Sequence, residues 1–120
     1  MTTLSIKELR PDSIPEGMKA VADIATRHLT ETDGNLLRWS KTSARIIGYV
    51  GPTEYGWMLE TAQYDEAMMD ADLGLAEDIK RSGMSKTFVA IMSALYRQNI
   101  YYVCFDTDGY ELAEFPIFDW

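Results

Sequence analysis

Ser85-Lys86-Thr87-Phe88-Val89-Ala90-Ile91-Met92-Ser93-Ala94-Leu95-Tyr96-Arg97-Gln98-Asn99-Ile100-Tyr101-Tyr102-Val103-Cys104-Phe105 changes its period of hydrophobicity once. Up to Arg97, the residues Phe88, Ile91, Met92 and Leu95 recur at helical spacing, and Ser85 is placed to cap the first turn. After Asn99 the pattern becomes a continuous apolar run of strand length, Ile100 to Phe105. A helix followed at once by a strand predicts helices packed on a sheet. The flanking segments give the form of that sheet.

Downstream, Asp106-Thr107-Asp108-Gly109 is a turn signal, with Tyr110 to Ala113 returning as a last strand and Pro116 ending it. Upstream, Arg45 to Val50 and Tyr55 to Thr61 read as strands joined by the turn Gly51-Pro52-Thr53-Glu54. Two hairpins without a regular strand–helix–strand alternation predict an α+β, two-layer fold: a mainly antiparallel sheet with about three helices packed on it. The chain, residues 1–120, reads as a single domain.

The other helices are also marked. Thr30 is an N-cap with Glu31 and Asp33 in the first turn, and Leu36, Leu37 and Trp39 give that helix an apolar face to about Ser43. Tyr64, Met68, Ala71, Leu75 and Ile79 fall within about 80° of a helical wheel and predict one helix with a core stripe. Lys80, Arg81 and Gly83 suit its end. Met18 to Leu29 fits neither period. Residues 1–17, broken by Pro11, Pro15 and Gly17, read as a short strand or turn followed by a loop around Leu4, Ile6, Leu9 and Ile14. At the end of the chain, Phe115, Ile117, Phe118 and Trp120 require burial or a partner.

Charge is unevenly spread. Residues 1–60 hold eight acids and seven bases, whereas residues 61–120 hold eleven acids and four bases, giving most of the net charge of −8. Glu60 to Asp78 contains seven acids and Asp106 to Asp119 five, neither with a base. Such a surface repels free nucleic acid and attracts a basic protein, including one that itself binds nucleic acid. Without any apolar run of signal or transmembrane length, the sequence predicts a soluble cytoplasmic protein with no membrane contact.

Chemical motifs are few. His28, the one histidine, is flanked by Thr26, Thr30 and Asp33. It fits a hydrogen bond near a helix start better than a general base, since no nucleophile accompanies it. One His and one Cys fall short of a zinc set, so no metal or other cofactor is expected. Cys104 cannot form an internal disulfide and reads as a buried structural thiol. Asp106-Thr107-Asp108-Gly109 resembles the opening of an aspartate phosphotransferase or a calcium loop. Only eleven residues follow Gly109, and loop position twelve is Ile117 rather than glutamate, so a plain turn is the better reading. The glycine-rich Gly48 to Gly56 lacks the Lys-Ser/Thr of a phosphate loop.

Two candidate sites remain. On the Tyr64–Ile79 helix, Glu66, Asp70 and Glu77 lie opposite the core stripe with Met69 and Leu73, an acid-rimmed apolar patch suited to a protein partner. Separately, Tyr49, Tyr55 and Trp57 of the first hairpin could line a small-molecule pocket with His28.

The segments Ala25 to Asp33, Tyr55-Gly56-Trp57, Asp78 to Lys86 and Pro116-Ile117-Phe118-Asp119-Trp120 resemble a small bacterial family of unknown function carried on plasmids, prophages and genomic islands. The Phe-Asp-Trp ending is the most specific of these; Arg27, where relatives often have a small residue, departs from the pattern. The resemblance implies a mobile-element setting and supplies no activity. With the acidity, it leads to an expectation of a non-enzymatic protein-interaction module, such as an anti-defence inhibitor of a restriction or CRISPR complex. The alternative is a small enzyme or small-molecule-binding domain centred on His28 and the Tyr/Trp hairpin. Homodimerisation through the aromatic ending is a third arrangement.

Overall fold

The computed structural model describes residues 3–9 and 19–120. Pro11, Ile14, Pro15, Gly17 and Met18 lie outside the described residues. The strands are β1 (Thr3–Leu4), β2 (Ala20–Ala25), β3 (Tyr49–Thr53), β4 (Gly56–Glu60), β5 (Ile100–Asp106) and β6 (Glu111–Leu112). The helices are α1 (Glu31–Arg38), α2 (Ser40–Ser43), α3 (Glu66–Ala71), α4 (Leu73–Arg81) and α5 (Lys86–Arg97), with short 3-10 turns at Ile6–Leu9, Thr26–His28 and Ala62–Tyr64. None of the described helices is long and apolar enough to cross a membrane.

The main sheet has the order β2-β5-β4-β3. β5 is parallel to β2 and antiparallel to β4, which forms the hairpin with β3. The class is therefore α+β with a mainly antiparallel sheet. Its most apolar strand, β5, lies inside the sheet, and only one of its faces is sealed: Val103 and Phe105 are buried, while Tyr102 and Cys104 are half-buried. Phe105 packs against Phe88 of α5 with ring centroids 5.9 Å apart, and Phe88 meets Tyr64 edge-to-face at 5.7 Å. Ile24, Leu29, Leu37, Leu59, Ile91 and Leu95 complete one continuous core. Tyr64 spends its hydroxyl on the Ile47 carbonyl at 2.6 Å, and burial pushes its phenol upward.

Four local expectations change. Residues 45–48 do not extend a strand; they continue a series of tight turns after α2, seen in Arg45 N–H to Thr42 O, Ile46 N–H to Ser43 O and Tyr49 N–H to Ile46 O. Hairpin reversal occurs at Glu54-Tyr55, because Thr53 pairs with Gly56 and Pro52 with Trp57. Edge strand β3 can carry Pro52, whose missing N–H would disrupt an inner strand. The Asp106–Gly109 turn forms, but its chain does not return along β5. Tyr110 instead brackets the far edge of β2, donating to Asp23 O and accepting from Ala25 N–H, and β6 then pairs in parallel with β1. Gly109 makes this crossing possible, because a Cβ there would stand 2.3 Å from the Ile24 carbonyl carbon.

The fourth change concerns the acidic helix. It is broken at Asp72, which is extended (φ −122°, ψ 97°) and caps α4 through its carboxylate on Leu75 N–H; Asp65 caps α3 in the same way on Ala67 N–H. The break resets the helical phase. Tyr64 and Ile79 are buried as expected, but Met68 and Ala71 are exposed and Met69 packs on the core instead.

One buried carboxylate joins two helix starts. Asp33 completes a capping box with Thr30 and also accepts from Ser85 N–H at 2.7 Å and Ser85 Oγ at 2.6 Å. Ser85 in turn accepts from Phe88 N–H at 3.1 Å. The N-termini of α1 and α5 are thus capped by one connected set of groups.

Candidate functional site

Three pieces of chain converge beyond the carboxyl ends of β2 and β5. Ala25 and Gly56 both register with Asp106, so the start of the Thr26–His28 turn, the β3–β4 hairpin tip and the Asp106–Gly109 turn sit side by side. The C-terminal segment is laid along residues 27–29 by three bonds. Pro116 O meets His28 Nδ1 at 2.8 Å, Phe118 N–H donates to Arg27 O at 2.8 Å, and Trp120 Nε1–H donates to Leu29 O at 2.7 Å. The aromatic ending is therefore docked, although Phe118 and Trp120 leave part of their rings uncovered.

Between the docked segment and the hairpin tip lies a cleft of about 410 Å³. Tyr55, Trp57, Phe118 and Trp120 supply its aromatic lining; Arg27 and Arg38 supply two guanidiniums; Thr26, Thr107 and Asp119 complete it. Arg27 is fixed by Glu111, Nη1 to Oε1 3.4 Å. Among the described residues Arg38, exposed in the last turn of α1, has no ion-pair partner. The recess thus sets two guanidiniums among aromatic rings, with the carboxylates of Asp119 and Glu111 beside them.

The pocket expected around His28, Tyr49, Tyr55 and Trp57 forms only in part. Tyr55 and Trp57 share the cleft; Tyr49 lies in an adjoining recess with Pro52 and Ser40, which has Arg38 and Trp57 in common with the cleft. His28 is fully buried, and both ring nitrogens are held by backbone: Nε2 accepts Leu112 N–H at 2.7 Å, so Nδ1 carries the proton and donates to Pro116 O. Phe115 packs edge-on to the imidazole at 6.4 Å. This histidine ties β6 and the C-terminal segment to the Thr26–His28 turn, and neither nitrogen faces the cleft. Arg38, Phe118 and Trp120 were missed as cleft residues because only the tertiary docking gathers them.

On the acidic side, Leu73 is 78 % exposed at the α3–α4 break, and Met68 is 45 % exposed on the preceding turn. Asp70 and Glu77 are exposed with them, and Glu66 reaches Arg97 at 3.9 Å. Met69 instead lines an apolar groove of about 520 Å³ between α3–α4 and α5, with Ile79, Met84 and Val89. The acidic tail segment is used differently: Glu111 is buried against Arg27, and Glu114 holds Ser5 Oγ at 2.7 Å and Ile6 N–H at 2.9 Å. Among the described residues, Asp70, Asp72 and Glu77 of the α3–α4 ridge have no ion-pair partner, whereas Glu66 has Arg97. Among the described residues, no group of three or more His, Cys, Asp and Glu side chains could hold a metal ion.

Residues 21–120 match the family model described as Family of unknown function (DUF5983) C-terminal domain. The chain belongs to this family. Comparison with curated proteins and with solved structures gives no match. The DUF5983 span contains every cleft residue and the whole α3–α4 ridge, whereas β1 lies outside it.

Proposed function

We infer that the chain is a non-enzymatic binding module that docks its α3–α4 ridge onto a basic protein surface. The observation that carries this reading is Leu73, 78 % exposed where the two helices break and flanked along them by Glu66, Asp70, Asp72 and Glu77. A lone exposed leucine is ordinary, but Leu73 with Met68 offers two apolar anchors within an acidic rim. The rim steers a basic partner and the anchors supply contact area.

In its most concrete form the partner is a host defence complex that handles nucleic acid, such as a restriction or CRISPR assembly. An acidic ridge would occupy a groove built for phosphate. The mobile-element setting implied by the sequence resemblance favours an inhibitor of this kind. The test is a DNA-binding assay of such a purified complex with the chain added. The intact chain is expected to displace DNA with strong salt dependence, and a folded Glu66→Lys, Asp70→Lys, Glu77→Lys, Leu73→Ala variant is expected not to. Equal displacement by the variant would remove the ridge from the interface.

A further inference from the structure

We propose that the cleft between the hairpin tip and the docked C-terminal segment binds a nucleoside monophosphate, its base on the aromatic rings and its phosphate on the guanidiniums. The volume of about 410 Å³ lies in the size range of small-molecule sites. The site shares no residue with the α3–α4 ridge and stands independently of it.

The charge selects the ligand class. Two guanidiniums stand here among four aromatic rings, those of Tyr55, Trp57, Phe118 and Trp120. Arg38 reaches the cleft from the end of α1, and Arg27 is oriented by its ion pair with Glu111. Guanidinium forks match phosphate oxygens in geometry as well as charge.

The aromatic lining selects a planar group. Tyr55 is 56 % and Trp120 49 % exposed, so both keep surface open to a ligand. Trp120 is held in orientation by its bond to Leu29 O, so a base would meet a fixed platform rather than a mobile ring. Stacking on such rings tolerates any base, and the site is therefore expected to discriminate weakly among them. Asp119 argues against a bare anion. Its carboxylate opposes a simple dianion but accepts from a ribose hydroxyl or an exocyclic amine, and Thr26 and Thr107 add hydroxyls. A ligand that combines ring, donors and phosphate satisfies all of these groups together.

The experiment is calorimetric titration of the full chain at low salt with AMP, GMP, CMP, UMP, adenosine, inorganic phosphate and phenyl phosphate. Tryptophan fluorescence provides a parallel readout, since Trp57 and Trp120 line the cleft. AMP is expected to saturate one site and to bind at least about tenfold tighter than adenosine, phosphate or phenyl phosphate. Arg38→Gln should weaken AMP about tenfold and leave adenosine unchanged. Tyr55→Ala, at the exposed hairpin tip, should weaken AMP and adenosine alike by about fivefold or more. The proposal is overturned if none of the four nucleotides saturates a site, if phosphate or phenyl phosphate binds as tightly as AMP, or if a folded Arg38→Gln chain binds AMP normally.

Discussion

The benzo edge of Trp120 lies so close over Gly34 that a methyl group there would stand 2.4 Å from the indole Cη2. Gly34 is buried inside α1, where glycine is ordinarily a poor helix residue relative to alanine. Here the absence of a side chain is what lets the last residue dock on the first full helix. The same ring donates to Leu29 O, so contact and hydrogen bond position it jointly.

Gly34→Ala should therefore reverse its usual sign. Instead of stabilising α1 by up to about 1 kcal/mol, it should destabilise the chain by about 1–3 kcal/mol through overpacking. Urea unfolding measures the change. In a Trp120→Ala background the same substitution should become neutral or stabilising; equal destabilisation in both backgrounds would break the proposed link.

Asp33 makes the second dependable target, since one carboxylate serves Thr30 and Ser85 across 52 residues of chain. Asp33→Ala should cost about 2–4 kcal/mol, because buried amide and hydroxyl donors at two helix starts lose their acceptor. Ser85→Ala alone should cost less, about 1–2 kcal/mol. The double variant should fall short of the sum, since both substitutions remove the same bonds; strict additivity in denaturation would show that they act separately.

Local chemistry was readable and convergence was not. Thr30 and Ser85 announce their helices because an N-cap bonds within its own first turn, and Ile100 to Phe105 announces its strand by unbroken apolarity. That Asp33 also caps the second helix depends on a contact between distant segments, for which a single sequence carries no signal. The break at Asp72 was written in the chain: Asp65 and Asp72 are both capping residues, but an apolar stripe counted as continuous hid the second start. β6 went elsewhere than expected because a two-residue strand has too little pattern to specify its partner. For the cleft, Tyr55 and Trp57 stood out locally, while Arg38, Phe118 and Trp120 join them only through the docking of the C-terminal segment.

Cys104 should be a poor nucleophile. It is half-buried on β5, registered with Asp23 on one side and Met58 on the other. Burial first, then the negative charges of Asp23 and Asp106, push its thiol above the ordinary range. At neutral pH the thiolate fraction, and with it the rate of alkylation, is therefore below that of a free cysteine. Mass spectrometry after iodoacetamide treatment should find native Cys104 labelled several-fold more slowly than free cysteine. Asp23→Asn should raise the rate without matching the free thiol, because burial remains; labelling of the intact protein at the free rate would contradict this account.

Glu114 gives the N-terminal contact a pH dependence. Its carboxylate is lowered chiefly by the Ser5 hydroxyl and next by Ile6 N–H, both of which bond the ionised form. A carboxylate whose folded value is depressed contributes fully above its unfolded value and loses that contribution as pH falls through the folded one. The tie between residues 5–6 and the segment after β6 should hold at neutral pH and loosen below the ordinary glutamate value of about 4. Because the β1–β6 pairing has only two residues on each strand, this loosening should appear locally, ahead of global unfolding. NMR of the Ser5 and Ile6 amides through an acid titration checks it: both should shift together with the Glu114 carboxylate while the core resonances stay fixed. Glu114→Gln should place these amides near their acid-form positions at every pH, and a variant that still shows the same titration would assign the transition to another group.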